Sequence, residues 1–246
     1  MTIPFKPILW GIPINIHLIL EYLAFFIAYR YYAYIRRHTD DQISSSNRLS
    51  IILGASLGAL LGSRIFGYLE HPVTISLENI PLILNVKTIM GGLFGGLLGV
   101  ELMKKIIGEE SSSGDLFTLP IILGIFIGRI GCFLSGTEEF TYGQETTFFA
   151  GMDLGDGVIR HPLALYELVF LVILFITLKR QMKRDNLKSG LVFQYFMISY
   201  FGFRFFLEFL KPNEFFILGL SSIQWLCVLC WIYYYKTIVK LIGNAY

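Results

Sequence analysis

Charge is scarce in these 246 residues: Asp, Glu, Lys and Arg make up 15%, against roughly 25% in soluble domains. With a hydrophobic content of 54% and a mean hydropathy of +0.62, that shortage excludes a large soluble domain and points to an integral membrane protein. Neither sign of charge dominates. The net is +2, and the basic residues are spread along short loops rather than gathered on one face, so no nucleic-acid partner is expected. Cysteine is rare too. Cys132, Cys227 and Cys230 all lie in apolar runs; the last two have CxxC spacing but no second pair and no βαβ context, so they read as core packing without a disulfide framework. The start, MTIPFKPILWGIP, lacks a basic n-region, a short apolar core and a small-residue cleavage site, so the first apolar run is expected to be kept.

What the chain has in plenty is long apolar runs. Seven come close to the roughly 20 residues that cross a bilayer, at 14–35, 49–69, 89–107, 116–136, 162–179, 189–210 and 215–236. The expected fold is all-α: a single integral membrane domain over 1–246 with about seven transmembrane helices and a polar outward-facing loop between spans four and five. No internal repeat is visible. Orientation follows from basic residues in short loops. One set of loops carries thirteen, from Arg30, Arg36, Arg37 and Arg48 through Lys104 and Lys105 to Lys236 and Lys240; the alternate set has four, Lys6, Lys87, Arg160 and Lys211. This places the N-terminus outside and the C-terminus in the cytoplasm.

Three arginines are left inside or at the edge of the spans: Arg64, Arg129 and Arg204. A lone arginine near a helix centre costs at least about 2.5–3.5 kcal/mol, so each needs a cavity, a partner or an anionic ligand. Arg204 has Glu208 four residues on, the same helix face: either a self-neutralising ion pair, or a carboxylate that orients the guanidinium toward an anion. Arg129 leads into the loop SGTEEFTYGQETTFFAGMDLGDGVIRHP, which holds Glu138, Glu139, Glu145, Asp153 and Asp156. A loop that long is usually functional or disordered. Arg64 lies toward the outward end of its run, with Glu70 and His71 just beyond. Gly54, Gly58 and Gly62 before it have small-xxx-small spacing, and Gly91, Gly92, Gly95, Gly96 and Gly99 allow either close packing or a broken helix offering backbone amides. In RHPLALYE, Pro162 suits a first helical turn, with His161 at its start and Glu167 about two turns in; Tyr166 suits an interfacial anchor. An arginine fork binds phosphate bidentately. The economical inference is a phospholipid headgroup site reached from the bilayer.

The segments GSRIFGYL (62–69), GGLFGGLLG (91–99), GRIGCFLSG (128–136), RHPLALYE (160–167) and FRFFLEF (203–209) give nearly the whole chain a sequence that resembles the prolipoprotein diacylglyceryl transferase family. The resemblance implies seven spans in the bacterial cytoplasmic membrane. It also implies transfer of diacylglyceryl from phosphatidylglycerol to the lipobox cysteine of exported lipoprotein precursors, with glycerol 1-phosphate released. The implied partners are phosphatidylglycerol, the lipobox segment and bilayer lipids, with no cofactor and no metal. Carried onto this chain, Arg129, Arg204 and Glu208 match residues regarded as essential in the family; with His161 they make up the expected catalytic set. The lipid- and phosphate-binding set is Arg64, Arg129, Gly92, Gly95, Ser135, Gly136, Gly143, Tyr166 and Glu167. The chain departs from the family pattern where Phe94 replaces a histidine, Cys132 an asparagine and Thr137 a glutamate, with Glu138 adjacent. His161, His71 or a carboxylate would then have to accept the proton of the substrate thiol. Two alternatives stay open: a related transferase with another acceptor, and a non-catalytic lipid-binding or assembly protein.

Overall fold

The computed structural model describes residues 3–39, 41–70, 79, 86–183, 188–212 and 217–243. Among them run eight α-helices: α1 (Ile16–Arg37), α2 (Ser45–Glu70), α3 (Ile89–Ile107), α4 (Asp115–Ser135), α5 (Leu163–Gln181), α6 (Leu191–Leu207), α7 (Ser222–Tyr233) and α8 (Tyr235–Gly243). Each apolar run of the sequence coincides with one of the first seven. Two antiparallel ribbons of two-residue strands complete the elements, β1 (Ile8–Leu9) with β2 (Ile12–Pro13) and β3 (Met152–Asp153) with β4 (Ile159–Arg160). The β1–β2 turn is Trp10-Gly11, both at positive φ, as a tight hairpin requires.

Local chemistry sets the helix ends. Asn15 accepts from the Leu18 amide at 3.0 Å and starts α1, answering one of the amides a helix start leaves unpaired. Gly108, at φ +68, closes α3, since a left-handed cap favours glycine. The Asp115 carboxylate accepts from Gly190 N (2.6 Å) and Phe193 N (2.9 Å), capping α6 from a distant part of the chain. Ser221 and Gln224 form a reciprocal capping box at α7.

The chain divides into two compact units. The first comprises Met1–Asp40, Ser113–Ser199 and Phe209–Pro212; in it α4 packs on α1 and on α5 around Leu119, Ile122, Leu171 and Leu174. The second comprises Asp41–Ser112, Tyr200–Glu208 and Asn213–Tyr246. There α2 lies along α3, and α7 contacts both, with Ile51, Met90, Ile223 and Leu226 fully buried. Cys227 and Cys230 are buried free thiols.

Many large apolar side chains stay exposed on the helices, among them Phe25, Phe26, Leu57, Leu61, Val169 and Ile173. In water such faces would associate, whereas a lipid environment accommodates them. Among the described residues α2 and the stretch Asp115–Glu138 are long and apolar enough to cross a membrane, and α7 with α8 makes a third if that bent pair is one span. The run at 215–236 differs from the continuous span expected: α7 has 12 residues, about 18 Å of helix, and the chain then turns by 70° into α8.

Candidate active site

In the first unit, Arg129 projects from α4 into the protein and is 6% exposed. Its Nε lies 2.8 Å from Oε1 of Glu167 on α5, itself 1% exposed. Pro162 and Leu163 begin α5 and so bring Glu167 to the level of Arg129. Arg129 is therefore neutralised across two helices rather than extended to a lipid surface. Its Nη1 lies 3.6 Å from Sγ of Cys132, three residues on and on the same face. Cys132 Sγ is in turn 3.6 Å from Nε2 of His17 in the first turn of α1, and His17 Nδ1 is 3.4 Å from Oε1 of Glu139. Five residues thus form one chain of polar contacts: Glu167, Arg129, Cys132, His17 and Glu139 in order.

The end of α4 is tightly built. Ser135 is buried at the last turn, and Gly136 has φ +58. A Cβ at Gly136 would collide with the Leu154 carbonyl oxygen, which also accepts from Thr137 N at 3.2 Å. Cys132, Phe133, Gly136, Leu154, Pro162 and Leu163 line a small cavity here. Glu138 is paired with Lys6.

His161 and Tyr166 meet each other, His161 Nδ1 lying 3.1 Å from Tyr166 Oη. Gly143 sits against His161 so closely that a Cβ would come within 2.5 Å of its Cβ, and Gly143 N donates to His161 O at 2.9 Å. Much of the loop's acidity serves the loop itself. Asp153 accepts from Gly155 N and Gly157 N. Asp156 accepts from Val158 N and from Arg160 Nε at 2.7 Å, and the Arg160 hydrogen bond holds its carboxyl below the usual range.

In the second unit, Arg204 Nη2 donates to Glu208 Oε2 at 3.2 Å, with Glu208 1% exposed. The i, i+4 spacing thus makes the pair foreseen from the sequence. Arg64 Nη1 donates to the Val86 carbonyl at 3.1 Å. The glycines adopt the close-packing arrangement: α3 is continuous, and a Cβ on Gly91, Gly95 or Gly99 would strike the α2 backbone at Gly62, Gly58 or Gly54. Gly92 N donates to Thr88 O. His71 lies outside the described residues. Among the described residues no cluster of three or more His, Cys, Asp or Glu is placed to hold a metal ion.

Within the first unit, then, Arg129 and Glu167 come together, as do His161, Tyr166 and Gly143. The sequence reading missed His17, whose partner Cys132 is 115 positions away. The available signal was a histidine in the first turn of the first apolar run.

The prolipoprotein diacylglyceryl transferase family matches residues 7–239. A protein of Nitratidesulfovibrio vulgaris (strain DP4) named phosphatidylglycerol--prolipoprotein diacylglyceryl transferase is 35% identical over 196 residues, 74% of this chain and 68% of the relative. Same-named proteins of Geobacter sulfurreducens and of Wolbachia sp. subsp. Brugia malayi (strain TRS) are 31% and 30% identical. They cover 72% and 71% of this chain, and 67% and 66% of the relatives. The chain spans about two thirds of the length of these relatives.

Proposed function

The chain belongs to the prolipoprotein diacylglyceryl transferase family, and from that membership we propose that it moves the diacylglyceryl group of phosphatidylglycerol onto the lipobox cysteine thiol of exported lipoprotein precursors, releasing glycerol 1-phosphate. It is a transferase of the bacterial cytoplasmic membrane. The thirteen-to-four bias of basic residues supports seven spans with the N-terminus outside and the chemistry toward the outer face.

The observation that carries the reading is the buried Arg129, held at Nε by Glu167. The ion pair with Glu167 sets the buried guanidinium beside the end of α4, and a guanidinium is a planar fork whose geometry matches a phosphate. In the reaction the thiol sulfur attacks a glyceryl carbon and the carbon–oxygen bond to phosphate breaks, so negative charge grows on phosphate oxygen. A guanidinium already in position stabilises that charge more in the transition state than in the ground state. Arg204 is oriented by Glu208 in the same manner and belongs to the proposed catalytic set. Arg64, Ser135, Gly136 and Gly143 stay in the proposed lipid-binding set. Gly95 serves it by letting α2 and α3 approach, while Gly92 has ordinary contacts at 3.6 Å or more. His161, paired with Tyr166, stays in the proposed catalytic set, and Tyr166 and Glu167 in the lipid-binding set.

The test follows glycerol phosphate release from headgroup-labelled phosphatidylglycerol, together with the mass of a lipobox peptide. Arg129→Lys keeps the charge and loses the fork. It is expected to lower turnover by at least about 100-fold, the order of effect seen when a transition-state donor is removed, while the protein still accumulates in membranes. Lipid binding by the wild type with no product from any peptide would overturn the transferase reading in favour of a lipid-binding protein.

A further inference from the structure

The attacking thiol must give up its proton, because the thiolate is the nucleophile, and the groups around Arg129 narrow where that proton can go. Arg129 cannot accept it. Glu167 is engaged with Arg129 Nε, and His161 is engaged with Tyr166 Oη. Among the described residues, a connected set of polar contacts lies beside Arg129 and runs outward through Cys132 and His17 to Glu139. Cys132 is 7% exposed, the His17 side chain 15% and the Glu139 side chain 39%, so each step leads nearer to water.

We propose that Cys132 and His17 form a relay that takes the proton of the substrate thiol, with Glu139 as the positioning residue that holds the imidazole. The proposal rests on the transferase reading above. With the Nδ1 hydrogen directed to Glu139 Oε1 at 3.4 Å, Nε2 presents its lone pair to Cys132 Sγ at 3.6 Å. The ring is confined by the approach of α1 to α4: a Cβ added at Gly131 would lie 3.2 Å from His17 Cδ2. The cavity lined by Cys132, Gly136, Leu154 and Pro162 adjoins the thiol end of the relay.

The step balances without a co-reactant. The substrate proton passes to Cys132 Sγ as the Cys132 proton passes to His17 Nε2. The substrate sulfur's electron pair forms the bond to the glyceryl carbon, and the electrons of the broken carbon–oxygen bond leave with the phosphate. The released glycerol phosphate dianion then takes the proton back, restoring neutral His17. Charge passing through Cys132 faces Arg129 Nη1. The imidazolium faces Glu139, with Glu21 one turn along α1, and Glu167 lies behind Arg129. Cys132 is not itself alkylated in this scheme, because a thioether formed on it would be a poor leaving group for a second transfer.

The experiment measures glycerol phosphate release by the full-length protein in phosphatidylglycerol micelles with a lipobox peptide, from about pH 6 to about pH 9, the range that spans imidazole and thiol titration. His17→Gln is expected to lower kcat at neutral pH by about 100-fold, the lower end for a general base, with KM for phosphatidylglycerol little changed. Its deficit should shrink about tenfold per pH unit toward the thiol's own pKa of about 8.5, since hydroxide then does what the relay no longer does. Cys132→Ser, which can still pass a proton, should keep more activity than Cys132→Ala. A deficit constant across pH, or His17→Gln working as well as wild type, overturns the relay while leaving the transferase reading intact. Should His17→Gln fail to accumulate, Glu139→Gln at the exposed end decides: a shifted pH profile supports the relay and an unshifted one overturns it. A wild type that releases no glycerol phosphate at any pH overturns both readings together.

Discussion

Among the described residues each compact unit buries one arginine–glutamate pair, and the two are made by different routes. In the first unit Arg129 and Glu167 come from α4 and α5 and meet at 2.8 Å. In the second, Arg204 and Glu208 sit one turn apart and meet at 3.2 Å. The local pair needs only its own turn of chain to form, whereas the tertiary pair exists only once two helices are packed. The units also differ in how their helices touch. In the first, α1 approaches α4 beside two glycines, Gly124 and Gly131, where an added Cβ would come no nearer than 3.2 Å, whereas α2 and α3 in the second meet along six glycines that alternate across the contact. A buried interhelical ion pair marks the first unit, and the close backbone approach of α2 and α3 marks the second.

The largest expected effect comes from breaking the tertiary pair. Glu167→Ala leaves Arg129 buried without its carboxylate, which costs about 3–5 kcal/mol when a buried pair loses one partner. The thermal midpoint in detergent and the level of protein in membranes should both fall. The double variant Arg129→Met, Glu167→Leu should recover most of that stability while staying inactive, because apolar replacement of a buried pair is often neutral. Glu208→Ala also leaves a buried arginine without its carboxylate. Neighbours one helical turn apart can already meet before the helices pack, however, so part of the pairing is kept in the unfolded reference state and the cost should fall at the low end of that range, about 3 kcal/mol or less. If the two single variants are equally destabilising, the distinction between local and tertiary pairs has no energetic content.

The second comparison is sharpened within α3. A Cβ at Gly95 would come within 2.9 Å of Gly62 Cα and closer still to the Gly58 carbonyl, so α2 and α3 must separate. At Gly92 the nearest atom, Ser63 Cβ, is 3.6 Å away. Gly95→Ala is therefore expected to cost about 1–3 kcal/mol as overpacking, and Gly92→Ala to be tolerated or slightly stabilising through helix propensity. Thermal melts of the two variants side by side check this, and equal losses would contradict the packing account.

These contrasts also mark what the sequence could disclose. Apolar runs reported the helices because lipid-facing and core-facing positions are both apolar, so length alone was informative. Arg204–Glu208 was legible because helical spacing determines which residues are neighbours. Arg129–Glu167 was legible only as two unusual residues, since nothing local says that α5 faces α4. The same reason hid His17 from Cys132. The bend at Tyr234 had no proline or glycine to announce it. The loop acids looked like candidate chemistry, yet Asp153 and Asp156 stand two and one residues before the glycines Gly155 and Gly157, a turn pattern that their hydrogen bonds bear out.

The smallest effect tests whether burial, rather than reach between elements, gives the tertiary pair its strength. Glu109, just beyond α3, also joins two elements: it accepts from Asn47 Nδ2 at 3.0 Å near the start of α2, and from Ser111 N at 3.0 Å. Unlike Glu167 it is only part-buried. The Asn47 hydrogen bond, followed by those from Ser111, lowers its carboxyl from the ordinary 4.5 to about 2. A carboxylate with a depressed folded-state pKa binds fewer protons folded than unfolded, so its contribution is complete above about pH 4.5 and is lost as pH falls toward about 2. Glu109→Gln should therefore be slightly less stable than wild type at neutral pH, with the gap narrowing through that window. Wild type and variant melted side by side from neutral pH downward isolate this one group from the other carboxylates titrating there. A gap that is small and closes on acidification assigns the strength of Arg129–Glu167 to burial. A gap as large as that of Glu167→Ala would assign it to the joining of two helices instead, because solvent screening leaves a part-exposed contact little else to contribute.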